Sequence, residues 1–182
     1  MSQKLAHMKK LYDELGQKQI KVGFFEHSKY PDGTSIAYVA TIQELGHGAI
    51  PPRPFMRPAM QENRAEYASL IQRAVNAAIK GNITIHDGLN QVGAKAAGDV
   101  QRHIRAVQTP PLSMVTLLMR KRRKQTGFVA GGKEVGRAYR DANFVGPRRK
   151  GDKTADISGV STKPLVDEGL MLQAVTFAVE DK

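Results

Sequence analysis

The chain has no cysteine and no tryptophan, and aromatic residues make up only 6% of its 182 positions. Without cysteine there is no disulfide framework, no thiol nucleophile and no thiolate-ligated zinc or iron–sulfur site. Sparse aromatics argue against a carbohydrate-stacking groove. Long hydrophobic runs are missing as well. No window approaches the roughly 18 apolar residues of a membrane span, and the opening "MSQKLAHMKKLYDELG" holds no run of signal-peptide length. We therefore expect a soluble protein, not secreted and with no membrane partner.

Acidic residues are also scarce. Seventeen Asp and Glu face 28 Lys and Arg, for a formal net charge of +11. Most of the excess is local: the stretch 120–153 holds twelve Lys or Arg against Glu134, Asp141 and Asp152. A charge block in a glycine-rich background reads as a solvated loop that meets a polyanion or an acidic partner. Phe128, Tyr139 and Phe144 lie among these cations and offer rings for base stacking. The same rings would also anchor the loop on the protein's own surface.

The hydrophobic pattern predicts a mixed chain in a single domain, 1–182. Residues 3–16 are amphipathic at helical spacing and Ile20–Glu26 reads as a strand. Ile36–Gly46 reads as a helix. Pro58 fits the first turn of a long helix that closes at Gly81, and Ile85–Val107 forms a second. Its small residues Gly93, Ala96, Ala97 and Gly98 permit close approach of a neighbour. A short helical run follows Thr109-Pro110-Pro111. Residues 125–162 read as irregular, Asp167-Glu168-Gly169 as a turn, and Ala174–Glu180 as a terminal strand with Val175, Phe177 and Val179 on one face. The expected fold is α+β: a small antiparallel sheet packed against two long helices, with a long basic, glycine-rich loop insertion over 120–163.

Motifs for chemistry are weak. None of His7, His27, His47, His86 and His103 lies three or four residues from another, so no metal-ligand spacing is present. There is no G-x-S-x-G elbow. Gly131-Gly132-Lys133 echoes a phosphate loop but lacks its spacing and the hydroxyl residue after lysine. We expect no enzyme, no catalytic residue, no metal and no cofactor.

The segment "ELGHGAIPPRPFMRPAM", Glu44–Met60, is the most unusual. Pro51, Pro52, Pro54 and Pro58 hold a stiff extended strip that carries Ile50, Phe55 and Met56 between Arg53 and Arg57. Such a strip suits a fixed surface. The alternative is plainer: Phe55 and Met56 pack under the following helix while the arginines face water.

Three stretches, "ELGHGAIPPRPFMRPAMQEN", "TPPLSMVTLLMRK" and "KPLVDEGLMLQAVT", appear in that order. Together they resemble the small neck, tail-completion and minor tail proteins of tailed bacteriophages. Members typically carry a "G…(I/M)P.RPF.RPA" segment before a long helix, often a "PL...T...R" piece, and a "PL.DTG.L..S(I/V)" turn near the C-terminus. The likeness spans residues 20–120 and 163–180. Here "DTG" is Asp167-Glu168-Gly169, and the interval 120–163 is enlarged.

The resemblance implies a structural virion protein of the head–tail junction, made in the host cytoplasm. Copies would form a homo-oligomeric ring, six-fold by expectation, between the head connector and the tail terminator or tube, around the DNA exit channel. Ile50, Arg53, Phe55, Met56 and Arg57 become candidate subunit-interface residues, with Phe55 leaning into the protomer's own core and the arginines outward. Asp167 and Gly169 mark the C-terminal turn. Arg120, Lys121, Arg122, Arg123, Lys124, Arg137, Arg140, Arg148, Arg149 and Lys150 become a basic docking arm, directed at an acidic protein or at DNA in the channel. The rival reading is a basic nucleic-acid-binding protein without a sequence-specific motif.

Overall fold

The computed structural model describes residues 3–127, 132–143 and 156–182. In chain order the elements are α1 (Gln3–Gln17), β1 (Lys18–Gly23), α2 (Ile36–Leu45), α3 (Met56–Glu62), α4 (Arg64–Ile79), α5 (Ile85–Ala106), α6 (Met114–Thr126), α7 (Gly132–Ala142), α8 (Leu170–Gln173) and β2 (Thr176–Asp181). The fold is α+β, as the hydrophobic pattern predicts. The two strands, near opposite ends of the sequence, form one antiparallel ribbon with Lys18 beside Asp181 and Gly23 beside Thr176.

Helix α5 is the axis of the molecule. Its 22 residues open on a reciprocal cap, in which the Thr84 hydroxyl accepts from Asp87 N–H and the Asp87 carboxylate accepts from Thr84. That satisfies two donors a helix start leaves open. One side of α5 buries Ala97, Val100 and Ile104 with Ile36, Ala40, Phe55, Ala59, Leu165, Met171 and Val175. Nearer its N-terminus, Ile85 and Leu89 meet Leu11, Val75 and Ala78, with Ile20 and Val179 of the ribbon alongside.

Two glycines of α5 are there for close approach. A Cβ on Gly93 would lie 2.3 Å from the Phe177 ring, and one on Gly88 would lie 2.5 Å from Ala74 Cβ. The small-residue face expected to admit a neighbour thus admits the protein's own β2 and α4. Gly98 meets nothing within 4 Å.

Several boundaries differ from the expected ones. The single long helix from Pro58 is two, α3 and α4, interrupted at Asn63. The Asn63 side-chain amide donates to Ala59 O at 2.8 Å while its own backbone N–H reaches that oxygen at only 3.4 Å. This is the competition by which short polar side chains loosen helices. β1 starts and ends earlier than Ile20–Glu26, and β2 begins at Thr176 because residues 170–173 form a helical turn entered through left-handed Gly169. Residues 125–162 are not irregular throughout, since α7 occupies 132–142. Phe128, Gly131, Phe144, Arg148, Arg149 and Lys150 lie outside the described residues.

Candidate functional site

The proline segment is built around Glu44, at the end of α2. Its carboxylate accepts from the backbone N–H groups of Phe55 (2.7 Å), Met56 (2.9 Å) and Arg57 (3.1 Å), and from Arg57 Nε (3.0 Å). These donors are the open start of α3, so a residue eleven positions upstream of Phe55 serves as the cap that Phe55 lacks. Burial pushes the Glu44 pKa up, but the three N–H groups and the Arg57 side chain outweigh it and hold the carboxyl below its ordinary value. A tight turn, with His47 N–H to Ile50 O and Ile50 N–H to His47 O, returns the chain.

Arg53 points inward. It is only 4% exposed, and its Nε and Nη2 donate to Pro110 O (2.8 Å) and Pro111 O (3.1 Å), with Nη1 on Gln43 Oε1 (3.2 Å). This corrects its placement at a subunit interface: the guanidinium is occupied within the protomer. Phe55 is buried in the core, edge-on to Phe24, and Met56 is half-buried against the same cluster. Of the five residues, Ile50 and Arg57 remain exposed at the surface.

A second arginine does for the C-terminal stretch what Arg53 does for Pro110-Pro111. Helix α6 is capped by the Ser113 hydroxyl, which accepts from Thr116 N–H. Two turns on, Arg120 donates to Ser161 O (2.8 Å), Lys163 O (2.9 Å) and Pro164 O (2.9 Å), and its Nε lies 3.5 Å from Asp167. Burial pulls the Arg120 pKa below its ordinary value, with Asp167 opposing.

The rest of the run 120–124 is similarly engaged. Lys121 pairs with Asp156 at 2.5 Å and reaches Ser158, and Lys124 donates to Gly159 O at 2.9 Å. Arg123 pairs with Asp167 and Glu168, and Arg122 pairs with Asp141 and Glu134. Arg120–Lys124 is therefore a clasp that ties residues 156–168 and α7 to α6, rather than a free arm. Physically, a basic run gathers whatever carbonyls and carboxylates its own chain can bring, here from 12 to 44 residues along the sequence. Arg137 pairs with Glu134 on the exposed side of α7, where Arg140 is also exposed. At the C-terminal turn, Asp167 receives both arginines and Gly169 has φ +80°.

The structure thus joins the three quoted stretches. Arg53 of the first holds Pro110-Pro111 of the second, and Arg120 of the second holds the Ser161–Pro164 backbone leading into the third. Sequence reasoning missed Glu44 because capping at that distance leaves no local signal. It also missed Asp99, which is fully buried on α5 and receives Tyr67 Oη (2.9 Å) and Lys95 Nζ (2.7 Å), with Arg102 at 3.0 Å. A lone acid beside Val100 on the apolar face of a helix was the available hint.

Beside this module, a cleft of about 810 Å³ opens between the end of β1, α2 and the start of α3, lined by Phe25, Ala37, Thr41, Leu45, Met56 and Arg57. Among the described residues no three His, Asp or Glu side chains gather as a metal-ligand set. No family model, curated protein or solved structure matches the chain.

Proposed function

We propose that this protein is a structural subunit of a tailed-bacteriophage head–tail junction, a neck or tail-completion protein that acts by assembly rather than catalysis. Copies form a closed ring by head-to-tail contacts between the head connector and the tail, around the DNA exit channel. The observation that carries this reading is the interlock of the three stretches that resemble the family. The "RPF" arginine, the "PL...T...R" arginine and the "PL.DEG" turn lie far apart in sequence, yet they are bonded in series through Arg53 and Arg120. A pattern shared across such distances has a reason to be retained together when its members hold one rigid body. Rigidity is what a ring subunit needs, because every copy must present the same surface to the next.

The clasp also bears on what the basic residues do. Arg120–Lys124 are engaged by carboxylates and carbonyls of the chain itself. A junction protein benefits, since an uncompensated basic lumen would hold the genome back by Coulomb attraction. In the nucleic-acid-binding alternative these five cations would have to leave or share their partners within the chain to meet phosphates.

Deleting the gene from a phage that carries it, then viewing the lysate by negative-stain microscopy, tests the proposal. DNA-filled heads beside separate, unjoined tails are the expected result. Normal, infectious particles would refute it.

A further inference from the structure

The two-stranded ribbon has two open edges, and their charges are opposite. Lys182 N–H donates to Gln17 O at 2.8 Å, one step beyond the Lys18–Asp181 pair. In an antiparallel pair, bonded and non-bonded positions alternate. The inward-bonded pairs are therefore Gln19 with Glu180, Lys21 with Ala178 and Gly23 with Thr176. Lys18, Ile20 and Val22 on one side, and Phe177, Val179 and Asp181 on the other, direct their backbone N–H and C=O groups away from the ribbon. Among the described residues no turn or loop backbone bond reaches these outward positions, Asp181 O takes only the Gln19 side-chain amide at 3.4 Å, and no third strand lies beside either edge. The ribbon is supported on one face by α5, but an open edge remains a template for another strand.

The occupant follows from charge. β1 carries Lys18 and Lys21 and no acid; β2 carries Glu180 and Asp181 and no base. Within the protomer they pair, Lys18 with Asp181 at 2.7 Å and Lys21 with Glu180 at 2.6 Å. Lys182, just past β2, is turned back onto Gly16 O at 2.8 Å. Two β1 edges brought together would oppose lysines, and two β2 edges would oppose carboxylates; like charges across a strand pair are destabilising. Only β1 against β2 repeats the attraction already present inside the protomer. The edges thus select a heterologous junction over a two-fold one. Rotation about an axis along the strands preserves their directions, so each junction is antiparallel like the internal pair.

We propose that copies of this chain associate edge to edge, the outer edge of β2 in one copy adding to the outer edge of β1 in the next, to make a continuous sheet of alternating basic and acidic strands. The proposal rests on the ring reading above and supplies its contact.

The cysteine-free chain allows a direct test. Gln19 and Ala178 lie on the ribbon face that carries Lys21 and Glu180. Gln19→Cys and Ala178→Cys are co-expressed as separate chains, purified and oxidised. Lys21→Cys with Ala178→Cys covers a register two residues along. Light scattering on the wild-type chain gives the mass in solution. The expected result is an oligomer whose cross-linked dimers carry one chain of each kind. Cross-linked dimers of Gln19→Cys with itself, or an oligomer with no mixed cross-link in either register, would overturn the edge junction and leave the ring reading standing. A wild-type chain that stays monomeric at all concentrations would overturn both.

Discussion

Removing the Glu44 carboxylate is the most direct perturbation of the proline segment. Glu44→Ala deletes the acceptor for three backbone N–H groups and for Arg57 Nε. Loss of a helix N-cap costs about 1 kcal/mol, and a hydrogen bond to a charged group contributes about 1.5–3 kcal/mol. The start of α3 is partly open to water, which recovers some of those donors, and the exposed Arg57 contact adds only about 0.5 kcal/mol. The expected loss is therefore about 2–4 kcal/mol. For a chain of this size each kcal/mol lowers Tm by about 2–4 °C, which gives a fall of roughly 5–15 °C by thermal melting at pH 7. Glu44→Gln keeps one acceptor oxygen and should fall about half as far. The pH dependence separates a charged cap from simple packing. The folded pKa of Glu44 lies below its ordinary value, so its contribution is full above that value and shrinks as pH drops through the folded pKa. The stability gap between wild type and Glu44→Gln should close toward acid. A Glu44→Ala protein melting within about 1 °C of wild type, or a gap that stays constant from neutral pH into acid, would refute the cap.

Other expectations are simpler to read. Arg53→Ala should cost about 1–3 kcal/mol in urea denaturation by removing a buried guanidinium that ties Pro110 and Pro111 to Gln43, whereas Arg57→Ala, on an exposed pair, should cost under about 1 kcal/mol; equal costs would contradict the inward placement of Arg53. Arg120→Ala removes the donor to three carbonyls and should accelerate amide hydrogen exchange across residues 157–163 several-fold, while unchanged exchange would mean the clasp does not restrain that stretch. Gly93→Ala places a methyl inside the Phe177 ring position and should lower stability by about 1–3 kcal/mol, with amide exchange accelerated first in β2.

What was legible in the sequence was periodic. The apolar stripe of α5, the α2 helix with its Gly46 stop, and the alternation of Val175, Phe177 and Val179 each follow from side chains that face one core. What escaped was long-range bonding between polar groups. Nothing around Glu44 marks it as the cap for a helix beginning at Met56, and nothing in "RKRRK" says which cations meet carbonyls. Arg120, Lys121 and Lys124 find partners beyond position 155. A count of charge treats all five as surplus, and the fold alone decides that they are engaged. Asn63 shows the same limit locally, since helix propensity carries through it while its amide takes the Ala59 carbonyl.

The proline segment was expected to be stiff because proline restricts the unfolded chain. The structure adds a second source of order, because Glu44 and Arg53 are each held by bonds within the protomer. Glu44 fixes where α3 begins, and Arg53 fixes how far the strip stands from Pro110-Pro111. This leaves Ile50 and the Arg57 side chain as the outward-facing part of the motif, on a backbone with little freedom to move. The division of labour differs from a pair of equivalent interface arginines. Arg53 makes the strip rigid, and Arg57, paired to Glu44, is the exposed arginine of the two, the one a neighbouring copy would meet if the proposed ring forms. It follows that Arg57→Ala should leave the melting temperature nearly unchanged while lowering the oligomer mass seen by light scattering at micromolar protein. Arg53→Lys should do the reverse at low temperature, weakening the fold without removing any surface that a second copy could touch. If Arg57→Ala assembles like wild type, the motif serves the protomer alone, and the contact between copies is carried elsewhere, with the ribbon edges as the remaining candidate.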